Sequence, residues 1–277
     1  MRVEGGVAAR LLQVGGSPVL VRAWQPAAAR VVFRAEPADP AALVPPRALP
    51  AGSARPAARA ELELATERLR FALGVDDDLG EFYRDFRRDP LLGPPLRRRP
   101  WLRPRRRPWA WEALAWAVVR QLIESDRAAR IQRRIVGRWG LRLGAGRAAL
   151  RDVPAAATIA GRAPAEIARL GLSPARSIAL RAAARQVAAG RCDPAEPDAD
   201  RRLLAIPGIG TWTVRCLGLY GRGDADSLPA GDLAYLKLVG RLARLGRRAT
   251  EEEVEELFAP YAPFRGLAAA WAAGMYG

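Results

Sequence analysis

The stretch Leu203 to Gly210, LLAIPGIG, leads from one apolar segment through a Pro–Gly turn into a second apolar segment beginning at Thr211. Gly208 and Gly210 allow a tight turn that side chains would block. Beyond Gly210 the sequence TWTVRCLGLYG restarts as a helix, which leaves backbone N–H groups pointing out of the turn. The segment Pro207, Gly208, Ile209, Gly210, Thr211 and Thr213 therefore suits one phosphate group, held by amides and the positive end of a helix dipole. Such a grip is blind to base sequence. An ordinary corner between two helices has the same local pattern. The second chemical candidate is Asp232, 22 positions after Gly210, in LPAGDLAYLK. Pro229 and Gly231 break the chain just before it and place Asp232 at a helix N-terminus, where Asp is also a common capping residue. The two roles are compatible, because a cap holds a carboxylate in one orientation.

Charge points the same way. The chain has 45 Lys plus Arg against 29 Asp plus Glu, a net charge of +16, which favours a phosphate-rich partner. Lys237 is the one lysine, and every other basic residue is Arg. Abundant Ala, Gly and Pro accompany this, as in a GC-rich coding bias. The bias accounts for Arg in place of Lys, not for the basic excess. With no histidine, Ser–His and Cys–His nucleophile pairs and His-ligated metals are excluded. Cys192 and Cys216 lack CxxC partners, which argues against an iron–sulfur cluster or structural zinc and fits a reducing cytoplasm. No apolar run approaches the ~20 residues of a membrane span, and no signal peptide is recognisable at the start.

Several elements must position these groups. Residues 1 to 60 read as a β-rich domain, from LLQVGG, PVLVRAW and ARVVFRAEP, with an irregular Pro/Ala connection over 36 to 58. Residues 61 to 108 read as a helical segment, ELELATERLRFALG and a short helix in DDDLGEFYRDF, followed by a linker, together expected to pack with the C-terminal lobe. That linker, Asp89 to Pro108, is Pro- and Arg-rich and is expected to be extended and solvated, with Arg97, Arg98, Arg99, Arg105, Arg106 and Arg107 able to meet nucleic acid. Residues 109 to 223 read as a helical domain containing the hairpin, and 224 to 277 as a C-terminal helical lobe carrying Asp232. WAWEALAWAVVRQLIES is expected to be a buried central helix. Ser173 before Pro174 reads as a helix N-cap, and Thr250 with Glu253 as a capping box.

The joint pattern of IPGIG at 206 to 210, the loop GRGDADSLPAG and Asp232 resembles the helix–hairpin–helix (HhH-GPD) DNA glycosylase superfamily. Within it, WEALAWAVVRQLIES, GLSPARSIALRAAAR and PFRGLAAAW are similar to the wedge segment, the next DNA-facing element and the closing helix of the 3-methyladenine DNA glycosylase II group. The resemblance spans residues 60 to 277. It implies a mainly α chain, α+β overall, with an all-helical two-lobed core and a small N-terminal β-rich domain. It also implies a reaction: a damaged nucleotide is flipped out of double-stranded DNA and its N-glycosidic bond is hydrolysed. The carboxylate of Asp232 would stabilise positive charge on the sugar. Asp224, Asp226 and Glu112 are weaker acids for the role.

The same resemblance assigns further residues. Trp212 stands where strand-cutting relatives carry a Schiff-base lysine, so the chain is expected to be monofunctional. Leu122, after Gln121, matches the wedge that fills the gap left by the flipped base, although its apolar helix also suits a core leucine. Ser173 and Arg176 belong to the second DNA-facing element. Trp212, Trp271, Cys216 and Glu124 are the pocket candidates, and an aromatic face would attract a cationic alkylated purine. Cys216 replaces an expected tyrosine and Ala273 an expected tryptophan, so the pocket is expected to differ in shape. No cofactor is required, but backbone carbonyls of Leu204, Ile206 and Ile209 are expected to hold a sodium or potassium ion. A monomeric, cytoplasmic, nucleoid-associated bacterial enzyme for alkylated purines is the resulting expectation. The alternatives are an oxidised-base glycosylase of the same superfamily and a non-catalytic DNA-binding protein.

Overall fold

A computed structural model describes residues 1–44 and 57–276. The chain opens with β1 (Arg2–Glu4), β2 (Val7–Val14), β3 (Ser17–Ala27) and β4 (Arg30–Pro37), an antiparallel meander in sequence order. Its first two turns are the pairs Gly5–Gly6 and Gly15–Gly16, all at positive φ. Two-residue hairpins need that conformation at both positions to match the strand twist. A short β5 (Leu43–Val44) follows, so the first part of the expected irregular connection is ordered, while 45–56 lie outside the described residues. Helix α1 (Arg59–Leu73) packs on β2, β3 and β4 and ends at Gly74 in the left-handed conformation. The Arg70 guanidinium lies 5.5 Å from the Phe33 ring centre. Phe33 pairs with Ala23, and Ala23 with Ala8. Leu11, three residues from Ala8, must therefore face the opposite side of the sheet, where it meets Leu141.

Next come α2 (Gly80–Phe86) and α3 (Gly93–Arg98). The linker from Asp89 to Pro108 is not the extended, solvated connection expected, but its apolar residues pack against the C-terminal helices, as expected of 61–108. Leu92 and Leu96 are buried beside Phe82 and Trp271. Several of its arginines make local contacts: Arg97 donates to the Arg87 carbonyl (2.9 Å), Arg99 to that of Gly274 (3.3 Å), and Arg106 pairs with Asp77. The prolines prevent a long helix but not burial, because Leu91, Leu92 and Leu96 supply an apolar face. Helix α4 (Ala110–Arg120) is buried from Ala113 through Val119.

The expected central helix continued through Ser125, yet α4 stops at Arg120 and α5 (Ser125–Trp139) starts after a short turn. A two-strand ribbon, β6 (Arg142–Leu143) and β7 (Leu150–Arg151), pairs with β5. Helices α6 (Ala156–Ala160), α7 (Pro164–Ala168) and α8 (Pro174–Ala188) follow, with α8 packed on both predecessors. The last group is α9 (Ala199–Leu204), α10 (Thr211–Leu217) with a π-type turn over Gly218–Arg222, α11 (Leu233–Leu242), α12 (Glu251–Phe258) and α13 (Arg265–Tyr276). The chain is thus mainly α, with a small antiparallel N-terminal sheet.

Two compact units result, each from two separate stretches: 1–75 with 118–191, and 76–117 with 192–277. This division is not the serial one, 1–60, 61–108, 109–223 and 224–277, expected from composition. The sheet belongs to the first unit because buried polar contacts tie it there. Asp152 accepts from the Gln13 amide (2.8 Å) and faces Arg10 at 3.6 Å. In the second unit α2, α3, α11, α12 and α13 share one core around Phe82, Leu238, Phe258 and Trp271. Among the described residues no helix is long and apolar enough to cross a membrane.

Candidate active site

The IPGIG segment forms a closed turn between α9 and α10. The Ile206 amide donates to the Leu203 carbonyl (3.0 Å) and that of Ile209 to the Ile206 carbonyl (2.9 Å). The side chains of Ile206 and Ile209 are buried and pin the turn, while Pro207, Gly208, Gly210 and Thr211 are exposed. Gly208 sits at φ +87°, a left-handed conformation that favours glycine. Gly210 differs from expectation: its φ is −110°, and a Cβ there would meet nothing within 4 Å. The turn itself does not require that glycine. The amides of Thr213 and Val214 close onto the Gly210 carbonyl (3.0 and 3.2 Å), and the first turn of α10 carries no acidic residue. Thr213 is buried, so its hydroxyl does not face outward. The Ile206 carbonyl already accepts one bond, which leaves its second lone pair for a hard cation. Among the described residues no cluster of His, Cys, Asp and Glu suits a metal ion.

Asp232 is the N-cap of α11. Its Oδ1 accepts from the Ala234 amide at 2.9 Å, and its carbonyl accepts from the Leu236 amide at 2.9 Å. The carboxylate is half-buried at the end of a loop that is fastened on two sides. Toward α10, Ser227 Oγ donates to the Arg215 carbonyl (3.0 Å) and Arg215 Nη1 to the Leu228 carbonyl (3.1 Å). Gly218 permits this approach, since a Cβ there would lie 2.4 Å from Ser227 Oγ. Toward α13, Asp226 takes the backbone amide and guanidinium of Arg265. The hairpin's second helix and the Asp232 loop are therefore one rigid piece. The other acids are structural: Arg265 holds the Asp226 carboxyl below the usual range, and buried Glu112 accepts from Trp116 Nε1 at 3.2 Å.

Trp212 and Cys216 lie one turn apart on the same face of α10. Trp212 is half-buried, and its indole Nε1 is buried without a hydrogen-bond partner. Cys216 is buried, and so is Tyr235, which follows Asp232 by one turn of α11. Burial, with Tyr220, Asp232 and Cys216 as neighbours, pushes the Tyr235 phenol well above its ordinary pKa. Trp271, expected in the pocket, is only 1% exposed, and its ring packs edge-on against Tyr83 with centroids 6.1 Å apart, within the core of the second unit. Ala273 sits half-buried on the same helix.

The remaining candidates lie in the first unit. Leu122 is 102% exposed and has φ +53°. It stands on the turn between α4 and α5 and is not the core leucine that helical periodicity allows. Gln121 is half-buried and Glu124, the residue before α5, is exposed. Ser173 caps α8, its Oγ accepting from the Arg176 amide (3.5 Å) and Nε (3.0 Å). Arg176 Nη1 donates to the carbonyls of Val119 (3.2 Å) and Gln121 (2.8 Å), so Arg176 is turned onto the chain itself.

A profile of the HhH-GPD superfamily, described as base excision DNA repair proteins, matches residues 115–263, more than half of the chain. The chain belongs to the HhH-GPD superfamily. The chain is 26% identical over 200 residues to a DNA-3-methyladenine glycosylase of Bacillus subtilis, a match covering 70% of this chain and 66% of that protein. A 3-methyladenine DNA-glycosylase from Archaeoglobus fulgidus shares the fold with a TM-score of 0.79 at 21% identity, over 99% of this chain and 88% of that one. A DNA-bound 8-oxoguanine glycosylase/lyase from Clostridium acetobutylicum superposes with a TM-score of 0.68 at 13% identity, over 95% and 86% of the two chains. At such identities these two likenesses concern the fold.

Two parts of this HhH-GPD site escaped sequence reasoning. Tyr235 carries no local signal except its spacing of three from Asp232, which places both near one helix face. The Asp226–Arg265 clamp joins residues 39 apart, and nothing in either segment announces the other.

Proposed function

We propose that this HhH-GPD chain is a monofunctional DNA glycosylase that removes alkylated purines, of the 3-methyladenine and 7-methylguanine type, from double-stranded DNA. The observation that carries the reading is Asp232, a half-buried carboxylate oriented by the Ala234 amide and set on a loop fastened to the hairpin's second helix. Departure of the base breaks the C1′–N bond, and the bonding electrons leave with the base. The sugar becomes oxocarbenium-like, and a fixed negative charge beside it lowers that barrier. Water then adds to C1′ and loses a proton, leaving an abasic site. An alkylated purine is already cationic and leaves without prior protonation.

The other residues divide the remaining work. The exposed amides of Gly208, Gly210 and Thr211 meet one phosphate, with Pro207 shaping the turn that presents them. A sodium or potassium ion on the carbonyls of Leu204, Ile206 and Ile209 would bridge that phosphate; it supplies charge, not chemistry. Leu122 fills the stack vacated by the flipped base. Trp212 and Cys216 contact the base, and Glu124 the neighbouring pair. Trp212 supports a reading without strand cleavage, since no amine stands at that position and the one lysine is the exposed Lys237.

Release of free bases from methylmethanesulfonate-treated duplex DNA tests the reading. The protein is expected to liberate methylated purines, and Asp232→Asn to abolish this with DNA binding retained. Binding without release by the wild-type protein would favour a non-catalytic DNA-binding role.

A further inference from the structure

We propose that Arg176 is a positioning residue for Leu122: its guanidinium clamps the carbonyls of Val119 and Gln121 and so sets the direction in which Leu122 leaves the surface. The inference rests on the reading of Leu122 as the wedge. It departs from the expectation that Arg176, as part of the second DNA-facing element, itself contacts DNA.

The argument starts from a strained backbone. Leu122 has φ +53°, where the Cβ of an L residue crowds its own peptide neighbours. Its side chain is 102% exposed and has no packing to hold that conformation. A sparsely populated conformation persists only when its surroundings over-determine it. The surroundings here are the end of α4, where the last carbonyls have no intrahelical donors. Arg176 Nη1 takes one of them, from Val119 at 3.2 Å, and with it the carbonyl of Gln121 just beyond the helix, at 2.8 Å. The Gln121 carbonyl belongs to the peptide unit whose nitrogen is that of Leu122. Fixing that plane fixes the reference about which φ of Leu122 is set.

The clamp is held from behind as well. Arg176 Nε donates to Ser173 Oγ at 3.0 Å, and Ser173 is the N-cap of α8, followed by Pro174 at its first position. A guanidinium is planar, so holding Nε on Ser173 aims Nη1 at the α4 carbonyls. The positive charge also sits at the negative end of the α4 dipole. Ser173, Arg176, Gln121 and Leu122 thus form one chain of contacts from the start of α8 to the tip of the turn. A lysine has the charge but no fork, and does not reproduce all three bonds.

The test compares wild type, Arg176→Met, Arg176→Lys, Leu122→Ala and the Met/Ala double variant. Single-turnover base release is measured from a lesion in a paired duplex and in a mismatch, with the melting temperature and the salt dependence of binding. Arg176→Met is expected to lose about tenfold on the paired duplex and less on the mismatch, because a mismatch needs the wedge less. Arg176→Lys is expected to recover only part of that loss. In the Leu122→Ala background, Arg176→Met is expected to add almost nothing, the signature of two residues acting as one unit. The log–log salt slope is expected to stay unchanged. A slope shallower by about 0.9, with full rescue by Lys, would make Arg176 a phosphate ligand and overturn the proposal. So would additive losses, or equal losses on both substrates together with a fallen melting temperature. If Leu122→Ala itself left the paired-to-mismatch ratio unchanged, the wedge reading would fail first, and this inference with it.

Discussion

Asp226 and Arg265 close a three-point clamp six residues ahead of the candidate catalytic carboxylate. The Arg265 amide and Nε both donate to Asp226 Oδ1, at 3.1 and 2.8 Å, and Nη2 donates to Oδ2 at 2.5 Å. Alongside it, the Leu267 amide donates to the Ala225 carbonyl at 2.8 Å. Gly266 allows this closeness, since a Cβ there would lie 2.1 Å from the Ser227 carbonyl oxygen. The first turn of α13 thereby holds the loop that ends at Asp232, and Arg265 acts on the site through position alone.

The clamp has a pH signature. Arg265 lowers the pKa of Asp226 in the folded protein. A depressed carboxyl pKa contributes stability above the unfolded value, about 3.9, and that contribution is lost as pH falls through the folded value. Asp226→Asn removes the titration. The difference in melting temperature between wild type and Asp226→Asn is therefore expected to be constant from neutral pH to about pH 4.5 and to shrink below that. Thermal unfolding followed by circular dichroism measures it. A difference that grows with acidity would mean that Arg265 does not hold the folded-state pKa of Asp226 down.

Asp232→Asn separates the two roles of this residue. Asn caps helices about as well as Asp, so its side-chain oxygen is expected to keep the bond from the Ala234 amide, and the melting temperature to stay near wild type. Base release is expected to fall ~100-fold or more, since the charge facing the sugar is gone. DNA affinity is expected to hold. Near-normal release by the Asn variant would reduce Asp232 to a cap.

Trp212 leads to a prediction about products. Strands treated with the protein are expected to carry intact abasic sites that break only on heating in alkali, and borohydride is expected to trap no covalent adduct. Trapping would place an amine at the sugar, and Lys237 would be the lysine to replace next.

Much of this site was legible because its signals are local. Gly208, Pro229 and Asp232 each act through the backbone within a few residues, so turn, break and cap could be read in order. The Gly–Gly pairs of the sheet are of the same kind. What was not legible depends on partners distant in sequence. Leu122 follows the apolar pattern of α4, yet that helix ends at Arg120, and the carbonyls of Val119 and Gln121 accept from Arg176, 54 residues beyond Leu122. For Trp271 the sequence gives the residue type and not its neighbours, Phe82 and Tyr83. The Arg-rich segment looked solvated, yet burial of Leu92 and Leu96 outweighs its charge once the arginines find carbonyls and Asp77 nearby.

The two hairpin glycines are expected to respond in opposite ways. Gly208 has φ +87°, so Gly208→Ala is strained within the protein and should destabilise it by ~1 kcal/mol or more. Gly210 has φ −110° and open space where a Cβ would go, so Gly210→Ala should leave stability unchanged or slightly raised. That open space adjoins the exposed amides at the start of α10. If a DNA backbone approaches there, a methyl group keeps the phosphate at a distance, and Gly210→Ala should weaken duplex binding while the fold is intact. Melting temperatures and binding isotherms for both variants at one salt concentration decide the matter. A Gly210→Ala protein of normal stability and normal affinity would mean that the phosphate does not come against this face of the turn.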